Sequence, residues 1–236
     1  MLEDAEIQQV LAITAHPDDV DFGAAGTIAT WTDAGIKVAY CVITDGDAGG
    51  FDPAVPRGHI GPIRRDEQRA AAAEVGVSDV HFLGYPDGRL TVTFDLRRDI
   101  ARVIREVRPQ RVLCQSPERN MVRIYASHPD HLAAGEAAMC AVYPDARNPF
   151  AYPDLADLEA WAVPEVWVMG SERANHYVDI TATFDRKKAA LRAHVSQMEG
   201  VEDLDTLLGD WNGANAKLAG MPDGHFAEGF WVMDTA

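Results

Sequence analysis

At 236 residues, with 47% apolar and 25% charged side chains, the chain is long enough to bury one large core and lacks the depletion of large hydrophobics that marks disorder. Its 37 acidic residues against 21 basic ones leave a formal net charge of -16, which argues against a nucleic-acid or anionic-membrane surface and favours a neutral or cationic small-molecule substrate. The acidic start Met1-Leu2-Glu3-Asp4-Ala5-Glu6 is unlike a secretory signal, no apolar run approaches the roughly 18 residues of a membrane span, and a cytoplasmic protein is expected.

In chain order, the apolar, β-branched run 10–14 predicts a first strand, stopped abruptly by His16-Pro17-Asp18-Asp19. Small and apolar residues predict a helix over 23–34, Gly35 ends it, and the run 37–44 gives a second strand. The pattern repeats with a helix over 64–75, a strand near 80–83, a basic-faced amphipathic helix over 96–107, and a strand over 111–115. Cys41, Cys114 and Cys140 are odd in number and isolated among apolar neighbours, so they read as small core residues rather than disulfides or metal ligands. A helix is expected over 130–142, then a long loop or lid over 143–164, rich in proline and poor in periodicity. A late strand pair over 165–169 and 176–180 and a helix over 184–198 complete the reading. Strands alternating with helices imply an α/β fold: a Rossmann-like, mainly parallel sheet with helices on both faces, in a single domain over 1–236.

In such a sheet, sites gather beyond the carboxyl ends of the strands. Ala15-His16-Pro17-Asp18-Asp19 follows the first strand, and Ser127-His128-Pro129-Asp130-His131 opens the helix after the strand at 111–115, so the two can face each other. Imidazole and carboxylate suit zinc, and three protein ligands leave an open position on the ion. A single such cluster reads as a turn with a satisfied histidine, but two at strand ends exceed what turn chemistry requires. Asp47 in a Gly/Asp loop, Arg64 on a helix and Asp87 in an Asp-Gly turn are secondary candidates, each with a bland rival as turn or solvated helix. His194 at a helix end, His176, Tyr125 and the aromatic stretch 161–167 receive no firm role.

The first motif, with the glycine-bearing Phe22-Gly23-Ala24-Ala25-Gly26-Thr27-Ile28, resembles the opening motif of the LmbE/PIG-L family of zinc de-N-acetylases, and His128-Pro129-Asp130-His131 resembles its second. Arg64-Arg65-Asp66-Glu67, Tyr85-Pro86-Asp87-Gly88 and His194-Val195-Ser196-Gln197 agree as well, extending the resemblance over roughly 10–197. Val20 departs from it, standing where many members carry Glu or Ala. The resemblance implies Zn2+ as cofactor, held by His16, Asp19 and His131, with Asp18 as general base. It implies His128 at the developing oxyanion, Asp130 orienting His128, and Asp47, Arg64 and Asp87 as binders of substrate hydroxyls. The implied reaction removes an acetyl or other acyl group from the amine of an N-acetylglucosamine-type small molecule. Relatives often assemble, which extends the expectation to a homo-oligomer. The alternative is a metal-dependent amidase acting on a non-acetyl amide, such as a thiol-cofactor conjugate or an antibiotic. A nucleotide-dependent oxidoreductase fits poorly, because strand one is followed by carboxylates where G-x-G-x-x-G would cradle phosphate.

Overall fold

The computed structural model describes residues 1–50, 54–121, 124, 127–198, 201 and 203–235. Its centre is a seven-stranded sheet in the order β3-β2-β1-β4-β5-β7-β6. The strands are β1 (Gln9–Thr14), β2 (Lys37–Thr44), β3 (Asp79–Tyr85), β4 (Arg111–Gln115), β5 (Glu165–Met169), β6 (His176–Asp179) and β7 (Ala227–Asp234). β1 to β5 run parallel, joined through α1 (Asp19–Asp33), α2 (Arg57–Glu74), α3 (Phe94–Val107) and α4 (Pro129–Cys140). The expected single α/β domain is therefore present.

Residues of β1 alternate between the faces, as the pleat requires. Leu11 and Ile13 join Ile100, Ile104 and Ala138 of α3 and α4, while Val10 and Ala12 join Ile28, Trp31 and Ala71 of α1 and α2. Val20, the departure from the family motif, is fully buried in the second cluster, so the difference is one of packing. Cys41 and Cys114 are core residues whose thiols burial pushes up to about 12, but Cys140 is only half-buried and lies 3.7 Å from Glu136 Oε1.

Several expectations need correction. The two late strands do not pair with each other: β7 lies between β5 and β6, antiparallel to both. The helix expected over 184–198 is broken into α5 (Phe184–Arg192) and α6 (Val195–Met198), and α7 (Leu204–Leu218) follows. A small third cluster of Ile180, Phe184, Leu191, Leu204 and Leu208 holds this carboxyl-terminal layer. The segment 143–164 is not a lid over the strand ends. Arg105, in the last turn of α3, donates to the carbonyls of Asp145, Ala146, Asn148 and Leu155, and Trp161 Nε1 donates to Pro109 O at 2.7 Å. These anchors fasten the segment at the amino-terminal edge of the sheet, about 18 Å down the α4 axis from the histidine motif.

Chain order reverses between β1 and β4, and the crevice beyond their carboxyl ends is where such sheets bind ligands. Both motifs open into it. Gly135 lets α4 approach there, since a Cβ at that position would strike the Gln115 carbonyl.

Candidate metal centre

His16 is delivered two residues beyond β1, and Asp19 begins α1 within the motif itself, four residues earlier than the glycine pattern suggests. Asp18 between them has φ 95°, a left-handed conformation that costs a non-glycine residue ~1–3 kcal/mol and that Asp tolerates better than most. The surroundings hold it in place. Its N–H donates to Gln68 Oε1 at 2.8 Å, its carbonyl accepts from the N–H of Asp21 and Phe22, and its Oδ2 accepts from Arg64 at 2.8 Å. Across the crevice His128 caps α4, so Asp130 and His131 fall in the first helical turn.

The two motifs meet. His16 Nδ1 lies 3.2 Å from His131 Nε2 and 3.3 Å from Asp19 Oδ2, and His131 Nε2 lies 3.0 Å from Asp19 Oδ1. A tetrahedral ion with ligands at about 2.0–2.1 Å sets its ligand atoms about 3.3–3.4 Å apart, so these three side chains fit one divalent ion. His128 also brings a ring nitrogen within 4.8 Å of those of His16 and His131.

The other nitrogen of His16 faces a second acidic group. Nε2 lies 3.0 Å from Asp87 Oδ1 and 3.3 Å from Asp130 Oδ2. Both carboxylates are already tied to backbone: Asp130 accepts from the N–H of Gly88 and Leu90, and Asp87 accepts from that of Ala48. His16, Asp87 and Asp130 also lie close enough to hold an ion; with an ion on the Nδ1 face instead, Nε2–H would donate to these carboxylates, which would fix the ring's tautomer. Two expectations are thereby corrected. The Asp130 carboxylate meets His16 rather than His128, to which Asp130 offers only its backbone N–H, and Asp87 is buried against His16 instead of standing open at the crevice.

The electrostatics are those of a cradle for a cation. Burial opposes a charge on His16, yet the Asp19, Asp130 and Asp87 carboxylates override it and push its pKa up to about 12. Burial likewise works against the charge on Asp19, and the neighbouring His131 and His16 hold it well below the usual carboxylate range. Asp18 behaves differently: burial pushes it up to about 6, with Arg64 pulling the other way and Asp19 adding to the rise. Burial and the charges on His16 and His131 lower the pKa of His128. Because His128 Nδ1 accepts from Asp130 N at 3.2 Å, the proton of the neutral ring sits on Nε2, which is then a donor.

Residues 11–142, which contain every group of this cluster, match the family described as PIG-L, GlcNAc-PI de-N-acetylase. The chain belongs to that family. It is 36% identical over 227 residues to the diacetylchitobiose deacetylase of Thermococcus kodakarensis, covering 95% of this chain and 82% of the relative. A probable N-acetyl-alpha-D-glucosaminyl L-malate deacetylase 2 of Bacillus cereus is 32% identical, with 89% and 93% covered. The structure superposes with a TM-score of 0.85 on the N,N'-diacetylchitobiose deacetylase of Pyrococcus horikoshii, 30% identical, over 98% of this chain and 85% of that one.

Arg64 is buried, not the start of a solvated helix, because α2 begins at Arg57. Its guanidinium donates to Asp18, Pro17 O and Gly46 O, and a Cβ on Gly46, whose φ is 62°, would strike it. Asp47 sits at the rim, half-exposed, accepting from Arg57 and from Asp87 N. His176 is remote, stacked edge-on against Trp167 in the sheet, and Tyr125 lies outside the described residues. The sequence reading missed Asp21 and Gln68, both fully buried behind Asp18. The available signal was Gln68 four residues from Arg64, on the same helix face.

Proposed function

We propose that the protein is a zinc-dependent N-deacetylase that releases acetate from the amine of an N-acetylglucosamine-type sugar. The observation that carries this reading is the mutual approach of His16, Asp19 and His131 to within 3.3 Å. Two imidazoles and one carboxylate form the donor set of hydrolytic zinc sites that keep a position open. A zinc ion held by His16, Asp19 and His131 would polarise the acetyl carbonyl and ease ionisation of the attacking water.

The chain's own groups do the rest. Asp18 takes a proton as the water oxygen bonds to the acetyl carbon. A carboxylate held in place by Arg64 can accept that proton and then return it. His128 directs its Nε2–H at the carbonyl oxygen as charge develops there. The C–N bond breaks as the proton held by Asp18 passes to nitrogen, leaving acetate and a free amine. Arg64 holds Asp18, Asp87 and Asp130 hold His16, and Asp47 at the rim is placed to meet substrate hydroxyls. The names of the relatives, which act on diacetylchitobiose and N-acetylglucosaminyl malate, support an amino-sugar substrate.

Elemental analysis and acetate release from N,N'-diacetylchitobiose and N-acetylglucosaminyl conjugates test the proposal. One zinc per chain and acetate from at least one sugar are expected, with Asp18→Asn keeping the metal and losing release. Turnover only of non-acetyl amide conjugates would favour the amidase reading instead.

A further inference from the structure

We propose that His194 is a positioning residue for the reaction, acting through Asp21 and Gln68 to hold the backbone of Asp18; this rests on the reading of Asp18 as the base. His194 lies between α5 and α6 and is fully buried. Its Nε2 donates to Asp21 Oδ2 at 2.8 Å, the same oxygen accepts from Gln68 Nε2 at 2.8 Å, and Gln68 Oε1 accepts from Asp18 N at 2.8 Å. All three side chains have no exposed surface to speak of, so none can exchange these partners for bulk water.

The order of donors along this chain is chemically determined. A carboxamide has one donating and one accepting end, and Asp18 N can only donate, so Gln68 must present its oxygen to Asp18 and its NH2 elsewhere. The Asp21 carboxylate, which only accepts, fixes that orientation, and the His194 N–H fixes the carboxylate in turn. An amide turned the other way would set N–H against N–H at Asp18. That backbone unit is also the left-handed one, with φ 95°, and the carboxylate it carries is held by Arg64 at 2.8 Å. Loosening it would displace the carboxylate that handles the proton, and a misplacement of about 1 Å can cost about 100-fold in rate.

His194 does not serve mainly to fasten its own segment. Its Nδ1 makes no hydrogen bond among the described residues, leaving the Asp21 contact as its polar interaction. α6 is attached to α2 separately, with Ser196 N and Oγ both donating to the Glu67 carboxylate at 2.7 Å. Removing the imidazole should therefore leave α6 docked.

Steady-state kinetics, zinc content and melting temperature of the zinc-loaded enzyme test this, using the best sugar of the acetate screen. His194→Ala should lower kcat about 100-fold at a KM within about twofold and with zinc retained, and His194→Gln, whose NH2 can reach Asp21, should recover most of the loss. Gln68→Met, which keeps the bulk but removes the acceptor, should reproduce the kcat loss, and it decides the matter if His194→Ala does not fold. Leu208→Ala, a cavity in the same carboxyl-terminal layer, serves as the stability control and should keep wild-type kcat below its melting temperature. Wild-type kcat in both His194→Ala and Gln68→Met, or a loss matched by Leu208→Ala at an equal fall in melting temperature, would overturn the inference. Asp18→Asn separates the two levels: if it keeps wild-type kcat the base assignment itself fails, whereas an inactive Asp18→Asn beside wild-type kcat in both His194→Ala and Gln68→Met sinks the positioning role alone.

Discussion

At the amino-terminal edge of the sheet Arg111 is fully buried, 2.8 Å from Glu165 Oε2 and from Asp4 Oδ1, with its guanidinium 4.1 Å from the Trp167 ring centre and 5.0 Å from that of Trp31. At the carboxyl edge Asp18, Asp19, Asp87 and Asp130 crowd around His16 and His131 with one guanidinium, Arg64, among them. At the first edge the one buried cation meets one buried anion, Glu165, with the half-exposed Asp4 beside it in water's reach and aromatic rings against its planar face. The second carries more carboxylates than fixed cations, so it is complete only with an added positive charge. Buried charge alone does not mark a functional site; uncompensated buried charge of one sign, opening into a crevice, does.

The comparison breaks most sharply at Asp18. Asp18→Asn should lower kcat for acetate release by about 100 to 10,000-fold with zinc content unchanged, because the proton acceptor goes while the ligands stay. Asp130→Asn comes next: without the carboxylate that orients His16, zinc affinity should weaken about 10 to 100-fold, measurable by competition with a chromophoric chelator. Unchanged affinity would mean that the acidic group on the far nitrogen of His16 is not a support for the ligand.

At the other edge, Glu165→Gln should cost ~3–5 kcal/mol by breaking a buried ion pair, a fall in melting temperature on the order of 10 °C, with kcat per folded molecule retained. A lost kcat in a folded Glu165→Gln protein would show that the two edges are not independent.

The smallest effect is a pH dependence at His176, which lies against Trp167 with ring centres 4.8 Å apart. Burial and the nearby Arg111 charge lower its pKa below the usual 6.5. Below that value the unfolded chain takes up a proton that the folded protein refuses, so stability falls as pH drops from about 6.5 towards the folded pKa. Wild type should therefore lose more melting temperature than His176→Gln between about pH 7.5 and about pH 5. Parallel curves would contradict the shift.

The two histidine–aspartate motifs were legible because strand ends of a parallel sheet converge on one crevice, and the strand pattern placed both motifs at such ends; the choice of His16, Asp19 and His131 within them came from the family resemblance. Orientation was not legible. The three-residue interval puts His128 and His131 on one face, yet nothing in it shows that the Asp130 carboxylate turns to His16 and to the N–H groups of Gly88 and Leu90, since those partners arrive from the loop after β3. Asp21 and Gln68 were hidden for a similar reason: a polar residue on an inward helix face reads as ordinary until its partners across the packing are known. β7 escaped because Glu228 and Gly229 interrupt its apolar run, and Glu228 is buried because Lys187 pairs with it at 2.6 Å and the N–H groups of Gly26 and Thr27 donate to it. α7 escaped because Gly209, Asn212, Gly213 and Asn215 lower its helix propensity, which the contacts of Leu204 and Leu208 with Phe184 and Leu191 offset.

An anomalous difference map collected at the zinc edge from crystals of the zinc-loaded protein tests the assignment of the two faces of His16 most directly. The account predicts one peak bounded by His16 Nδ1, the Asp19 carboxylate and His131 Nε2, with Asp18 outside the coordination shell. A peak on the opposite face, between His16 Nε2, Asp87 and Asp130, would contradict it.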